Sequence, residues 1–364
     1  MENENQDINI ENPEDAGKKK KKKVWRTVLL SVGSFLLVLV LGFVGIFWYF
    51  FGGLQTEELD TENLGIDSSY HSSIKQEKKI TNIARFGIDS RAGGNSNQGL
   101  SDATIILSIN HQTNKIKLIS VMRDSYVQIN GRGDKLTHAY SYGGAETAIK
   151  TLNENFNLDI TEYVTVNFDQ MSNVINSIGG VRIDVTEAER NQINGLMFEI
   201  RKGNTNYLTV SGKQILLTGD QAVAYARIRK LDSDQARTGR QREVLMAVFD
   251  KVMTMNVLEY PALAKSIIPM VTTSFSYDDV FDFLPVLTSG QAQIEQTMIP
   301  CDKDNPRDAM INGVYYMQYD LDLATDHIHN FIYKDIHPDA EPEEESTQSV
   351  SSSASASASQ SQRD

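Results

Sequence analysis

Six consecutive lysines, Lys18 to Lys23, followed directly by an apolar run over residues 27–51, constrain this chain more than any other feature. The run carries no formal charge and is unbroken hydrocarbon from Phe35 to Leu41. A helix of about 20 apolar residues crosses the hydrocarbon core of a bilayer, so this segment is long enough to span with some tilt. Trp25 on one flank and Trp48 with Tyr49 on the other stand where interfacial aromatics sit. A lysine run holds its own side in the cytoplasm. A cleaved signal peptide would have a shorter apolar stretch ending at small residues, whereas this one ends in Trp48-Tyr49-Phe50-Phe51. The expectation is a single-pass protein of the cell membrane, with residues 1–26 as a cytoplasmic tail, 27–51 as the transmembrane helix, and everything after it extracellular.

The remainder divides by composition. Residues 52–79 are polar and read as a spacer. Residues 337–364 run from His337-Pro338 through acidic residues into a Ser/Ala/Gln repeat, the pattern of a disordered tail. The folded part is therefore expected at 80–336, with all its motifs in 80–255. The formal net charge is −13, which argues against a nucleic-acid binder, since such proteins are usually basic. Cys301 is the one cysteine, so no intrachain disulfide can form, and it reads as a small buried residue.

Within 80–336 strands and helices alternate. Residues 80–88, 103–110, 115–122, 162–168 and 181–185 are short β-rich runs, while 144–156, 169–178, 219–226 and 239–255 have helical spacing. Alternation of this kind predicts a layered fold: α/β, a layered α-β-α sandwich with a mixed central sheet, preceded by one transmembrane helix. Residues 256–334 mix helix and strand with no chemical signature.

Three stretches concentrate unusual residues. Asp89 ends one predicted strand and Asp102 begins the next, and ligands bind at strand ends in such sheets. Two carboxylates brought together suit Mg²⁺, which is commonly held by one or two of them plus substrate phosphates; as turn or cap residues they would be ordinary. Arg123 also follows an apolar strand, where a structural ion pair with Asp124 or another acid is, taken alone, the better explanation. Arg227, Arg229, Arg237, Arg240 and Arg242 are five arginines within sixteen residues of an acidic protein. Arginine offers a planar fork of donors matched to phosphate oxygens, and Arg237 to Arg242 fall near the predicted start of a helix, itself an anion site. The competing reading is a solvated loop laced with Asp232 and Asp234. Arg132-Gly133-Asp134 resembles a cell-adhesion tripeptide of the kind that arises by chance, and His327 and His329 lack the neighbouring Cys or His residues that zinc requires. Walker A, GxSxG, HExxH and GxGxxG sequences are absent.

Taken in order, GIDSR (87–91), SDAT (101–104), SVMRDS (120–125), KLTHAYSYGG (135–144), IGGV (178–181) and GDQAVAYARIR with DQARTGRQREVL (219–245) resemble the motifs of the LytR-CpsA-Psr family. The resemblance implies a phosphotransferase of Gram-positive cell-wall biogenesis. Its substrates would be a polyprenyl-pyrophosphate-linked glycopolymer, of the teichoic acid or capsular polysaccharide type, and peptidoglycan, joined by a phosphodiester bond. It implies further that Asp89 and Asp102 hold Mg²⁺, that Arg123, Arg227, Arg229, Arg237 and Gln241 clamp the pyrophosphate with Arg240 in support from the same loop, and that Asp234 is the base for the acceptor hydroxyl. The prenyl chain would lie between sheet and helices. The chain departs from the family pattern at Thr137, where Asn is usual, and at Ala236, where Gly is usual. A polyprenyl-pyrophosphate phosphatase would use the same site. A membrane-bound transcriptional attenuator would need a cytoplasmic DNA-binding module, for which residues 1–26 are too short, and a wall-binding protein without turnover would need none of these arginines.

Overall fold

The computed structural model describes residues 55–57, 59–67, 79–89, 99–201, 206–276, 279, 282–283, 285–286 and 289–340. The expected cytoplasmic tail and membrane span, most of the spacer, Ser90-Arg91 and the Ser/Ala tail beyond 340 lie outside them. No helix among the described residues is long and apolar enough to cross a membrane.

A seven-stranded mixed sheet forms the centre. Its strands are β1 (Gln55–Thr56), β2 (Ile80–Asp89), β3 (Leu100–Asn110), β4 (Lys115–Val121), β7 (Glu162–Asn167), β10 (Thr272–Thr273) and β11 (Gln293–Ile299), ordered β1-β10-β7-β2-β3-β4-β11. The neighbours β2, β3 and β4 run antiparallel, while β7 joins β2 and β11 joins β4 in parallel. Two short ribbons, β5 (Tyr126–Ile129) with β6 (Arg132–Lys135) and β12 (Arg307–Ile311) with β13 (Val314–Gln318), flank the end of β4. A third pairs β8 (Val181–Val185) with β9 (Gly212–Leu217). In β8, buried Val181, Ile183 and Val185 alternate with exposed Arg182 and Asp184, as a ribbon with one wet face requires.

Helices cover both faces, which makes the layers α-β-α as expected. On one face α1 (Leu136–Phe156) and α7 (Leu321–Lys334) bury Leu152, Phe156, Ile328 and Phe331 against Ala84, Phe86 and Ile88 of β2. On the other lie α2 (Phe168–Ser177), α3 (Glu187–Arg201), α4 (Gly219–Ala226) and α5 (Asp234–Met253), with α6 (Tyr260–Ile267) behind them. Their own core joins Ile175, Val181, Ile193, Ala222 and Val244. The helices α2 and α4 approach so closely that a methyl group on Gly219 would sit 1.9 Å from the Ser172 carbonyl oxygen, so only glycine fits at that crossing.

Three starts differ from expectation by more than one residue, the first being β3, which begins at Leu100 rather than at 103. The helix predicted at 144–156 extends back to Leu136, interrupted at Gly143-Gly144, where Gly144 adopts φ 66°, ψ −153°, a region open essentially to glycine. The helix predicted at 239–255 begins at Asp234, because the Ser233 side chain accepts from the Ala236 N–H and caps it there. Gly239 lies inside the helix and does not break it. Residues 256–334 complete the fold rather than the site: they supply β10 and β11 at the flanks of the sheet and α7 on its outer face.

Candidate active site

The site lies where the ends of β2, β3 and β4 meet α2, α4 and α5. Ile88 pairs with Ser101 and Gly87 with Ala103, leaving Asp102 as the extra residue of a β-bulge. A bulge re-aims one side chain at the end of a ladder, and here the carboxylate becomes buried against two arginines. Arg123 Nη1 bonds Asp102 Oδ1, and Arg229 Nη2 reaches Oδ2 at 3.2 Å. The strand β7 passes directly into α2 through a capping box in which Asn167 and Gln170 exchange 2.8 Å hydrogen bonds. That junction fixes Phe168, over whose ring the Arg227 guanidinium lies at 4.6 Å. Arg227 itself is the C-terminal cap of α4.

On the first turns of α5, Arg237 grips Asp234 with two parallel bonds of 2.9 and 3.0 Å. Gln241 follows one turn later on the same face. Burial lowers the Arg237 pKa, with Asp234 acting against the shift; burial likewise raises the Asp234 carboxyl above the usual carboxylate range, with Arg237 opposing. The Nε atoms of Arg123 and Arg237 are buried with no hydrogen-bond acceptor among the described residues.

These residues enclose a cleft of about 340 Å³ lined by Asp89, Asp102, Phe168, Arg227, Arg229, Arg237 and Gln241, together with Asn191 and Gln192 of α3. Beside it runs a narrow, mostly apolar channel lined by Val166, Met171, Val223, Val244 and Leu245, with Arg85 within it. Cleft and channel share Asp102, Phe168, Ala226 and Gln241. An arginine-lined cleft adjoins an apolar groove.

Of the expected site residues, Asp89, Asp102, Arg227, Arg229, Arg237 and Gln241 line the cleft, Arg123 and Asp234 reach it only through their pairs with Asp102 and Arg237, and Arg240 does not join them. It sits on α5, not in a loop, and its guanidinium is spent on Glu189 at 3.0 Å and on both oxygens of Asp232. With 7% of its side chain exposed, it is a structural tie between α5, α3 and the loop before α5. Reasoning from sequence also missed Phe168, Asn191, Gln192 and the Asp124–Lys135 pair at 2.7 Å. Long-range contacts place all of these, and no local pattern marks them. Asp134 of the adhesion-like tripeptide is occupied by His138 at 3.0 Å and by Tyr142. The two C-terminal histidines separate: His329 bonds the carbonyls of Phe156 and Asn157. His327 instead has Cys301 at 3.7 Å and Asp304 at 2.5 Å, a neighbourhood its sequence spacing did not show. Asp304 also accepts from the Cys301 N–H at 2.7 Å, so the trio pins the turn after β11 to α7.

Known proteins are similar to this chain in sequence and in fold. Teichoic acid transferase TagT of Bacillus subtilis strain 168, a polyisoprenyl-teichoic acid–peptidoglycan transferase, is 30% identical over 282 residues, covering 75% of this chain and 84% of that protein. A solved structure of TagT bound to LIIa-WTA superposes with a TM-score of 0.56 at 28% identity, over 70% of this chain and 91% of the other. A second, a LytR-CPS2A-psr family protein YwtF (TagT) with bound octaprenyl pyrophosphate lipid, gives 0.52 at 27% identity over 70% and 90%. The LytR_cpsA_psr family profile matches residues 49–330. With that span, and with Asp89, Asp102, Arg227, Arg229, Arg237 and Gln241 of its motifs lining one cleft, the chain belongs to the LytR-CpsA-Psr family.

Proposed function

We propose that this chain is a membrane-anchored phosphotransferase, its catalytic domain extracellular, that moves a glycopolymer of the teichoic acid type from a polyprenyl-pyrophosphate carrier onto peptidoglycan. One observation carries the reading: the arginine-lined cleft and the apolar channel share four lining residues. A ligand that fills both has an anionic head and a hydrocarbon tail, as a lipid pyrophosphate does and a nucleotide does not. The names of TagT and of its lipid-bound structure agree with this.

Phosphoryl transfer depends on positioning and charge neutralisation more than on covalent help from the protein. Arg123, Arg227, Arg229, Arg237 and Gln241 bind the phosphoryl oxygens and fix the phosphorus for attack. Asp234 takes the proton of the acceptor hydroxyl as its oxygen bonds to the phosphorus that bears the glycopolymer. The bond to the prenyl phosphate breaks, and prenyl phosphate leaves with the electron pair. The donor set fits Mg²⁺: Asp89 and Asp102 are hard oxygen donors, and the described residues lining the cleft include no thiol or imidazole. Bound there, the ion would neutralise pyrophosphate charge.

The test gives the full-length protein in detergent a lipid-pyrophosphate oligosaccharide, a peptidoglycan oligomer and Mg²⁺, with Asp102→Ala alongside. The expected result is a joined product, reduced about a hundredfold or more in the variant. Donor cleavage without joining would make the protein a phosphatase instead. A base must be ionised to act, and Asp234 is raised by burial. Transfer is therefore expected to fall, as pH drops, at a higher pH than an exposed aspartate would give. In Asp234→Asn the residual rate should lose this acid limb; a variant that keeps both rate and limb would place the base elsewhere.

A further inference from the structure

The strand β2 carries an arginine that the mechanism above does not use. Ile80, Ala84, Phe86 and Ile88 pack on the α1–α7 side of the sheet. Alternation along a strand therefore turns Arg85, Gly87 and Asp89 to the opposite side, in line with one another. Arg85 and Gly87 line the apolar channel, and Asp89 lines the cleft beyond it. The guanidinium leans along the strand toward that cleft, since a methyl group built on Gly87 would lie 3.8 Å from Arg85 Nη1. Its neighbours in the channel include Val166, Met171 and Leu245.

Among the described residues Arg85 has no carboxylate partner, and burial alone lowers its pKa, to about 10. It is still charged at neutral pH. By surface area it is half-buried, and it is one of the residues lining the channel. An unpaired cation in apolar surroundings is costly, and no carboxylate among the described residues pairs with it, Asp102 of the same channel being held by Arg123 and Arg229.

We propose that Arg85 binds the phosphate of the carrier nearest the lipid, from the channel side, at the point where isoprenoid gives way to pyrophosphate. This rests on the lipid-pyrophosphate reading given above. Arg227, Arg229 and Arg237 meet the head from the cleft, and Arg85 meets it from beneath. The rival role is obstruction: the channel measures about 40 Å³, and a long side chain within it would limit the depth a prenyl chain can reach.

Binding of farnesyl pyrophosphate and of farnesol to the full-length protein in detergent separates the two, using wild type, Arg85→Leu and Arg85→Lys. The expected result is that Arg85→Leu weakens farnesyl pyrophosphate about tenfold or more, because a charge-assisted bond in a desolvated site is lost. Farnesol should bind it as well as or better than wild type, and Arg85→Lys should fall between. The melting temperature of Arg85→Leu should not drop, because an unpaired buried charge is removed; a fall there would mark a structural role and overturn the proposal. Equal or tighter binding of farnesyl pyrophosphate by Arg85→Leu would show obstruction and overturn it as well. A wild type that binds neither ligand would instead refute the lipid-pyrophosphate reading, and this proposal with it.

Discussion

Arg227→Ala is expected to lower transfer by about a hundredfold or more while shifting the melting temperature by only a few degrees. Loss of one preorganised donor to developing charge typically costs two to three orders of magnitude in rate. Arg227 is placed for that role and for little else. It caps α4, lines the cleft and lies 4.6 Å over the Phe168 ring, with no ion pair among the described residues. Its removal forfeits the stacking on Phe168, worth about 0.5–1 kcal/mol, and so changes stability little. Arg227→Lys keeps the charge but not the planar fork and should recover only part of the rate. Transfer and melting curves on the same preparations check this; a variant that retains full rate would take Arg227 out of the phosphate clamp.

Arg240→Ala should behave in the opposite way. It strands the Oε1 side of Glu189, a carboxylate only 13% exposed, while Asp232, 36% exposed, is met by water and adds little. Breaking a buried pair by removing one partner costs about 3–5 kcal/mol, a fall on the order of 10 °C in melting temperature for a domain of this size. The loss should depend on pH. Burial works against the Glu189 charge, but the Thr186 N–H and Arg240 outweigh it and hold its pKa below the usual glutamate range. A carboxylate with a depressed folded pKa contributes stability above its unfolded pKa and loses it as pH falls through the folded one. The gap between wild type and Arg240→Ala should therefore be full near neutral pH and close in acid. Adding Glu189→Gln should restore part of the loss, because it removes one stranded charge. A melting curve for Arg240→Ala that overlays wild type at neutral pH would refute the assignment of Arg240 as a structural tie.

The contrast between these two arginines marks where sequence reading stops. Strand and helix positions were legible because the apolar periods of 2 and 3.6 are local; Ile80–Asp89, Lys115–Val121 and Phe168–Ser177 all fall where the pattern puts them. The convergence of Asp89, Asp102, Arg227, Arg229, Arg237 and Gln241 on one cleft also follows from strand ends and one helix face. Arg237 and Arg240 are indistinguishable in a sequence window, yet one lines the cleft and the other does not. What separates them is Glu189, 51 residues away. Arg85 was invisible for a related reason: inside an apolar strand it looks like a lapse in the pattern, and only the layering shows which face it takes. The start of α5 was missed because its first turns carry polar residues with no apolar period, and the capping signal at Ser233 lay within that polar run.

The bulge at Asp102 also restricts how the coding sequence can change length. Side chains alternate sides with every residue along a strand, so losing or gaining one residue exchanges the two faces from that point on. The pairings Gly87 with Ala103 and Ile88 with Ser101 count one residue more on β3 than on β2. Removing any single residue from 101 to 103 would restore an even count, erase the bulge and redirect the end of the strand. A substitution in the same stretch, whatever it does to the site, leaves the count unchanged. Frame-preserving gains and losses of a single codon there should be purged, while the loops away from the sheet end accept them.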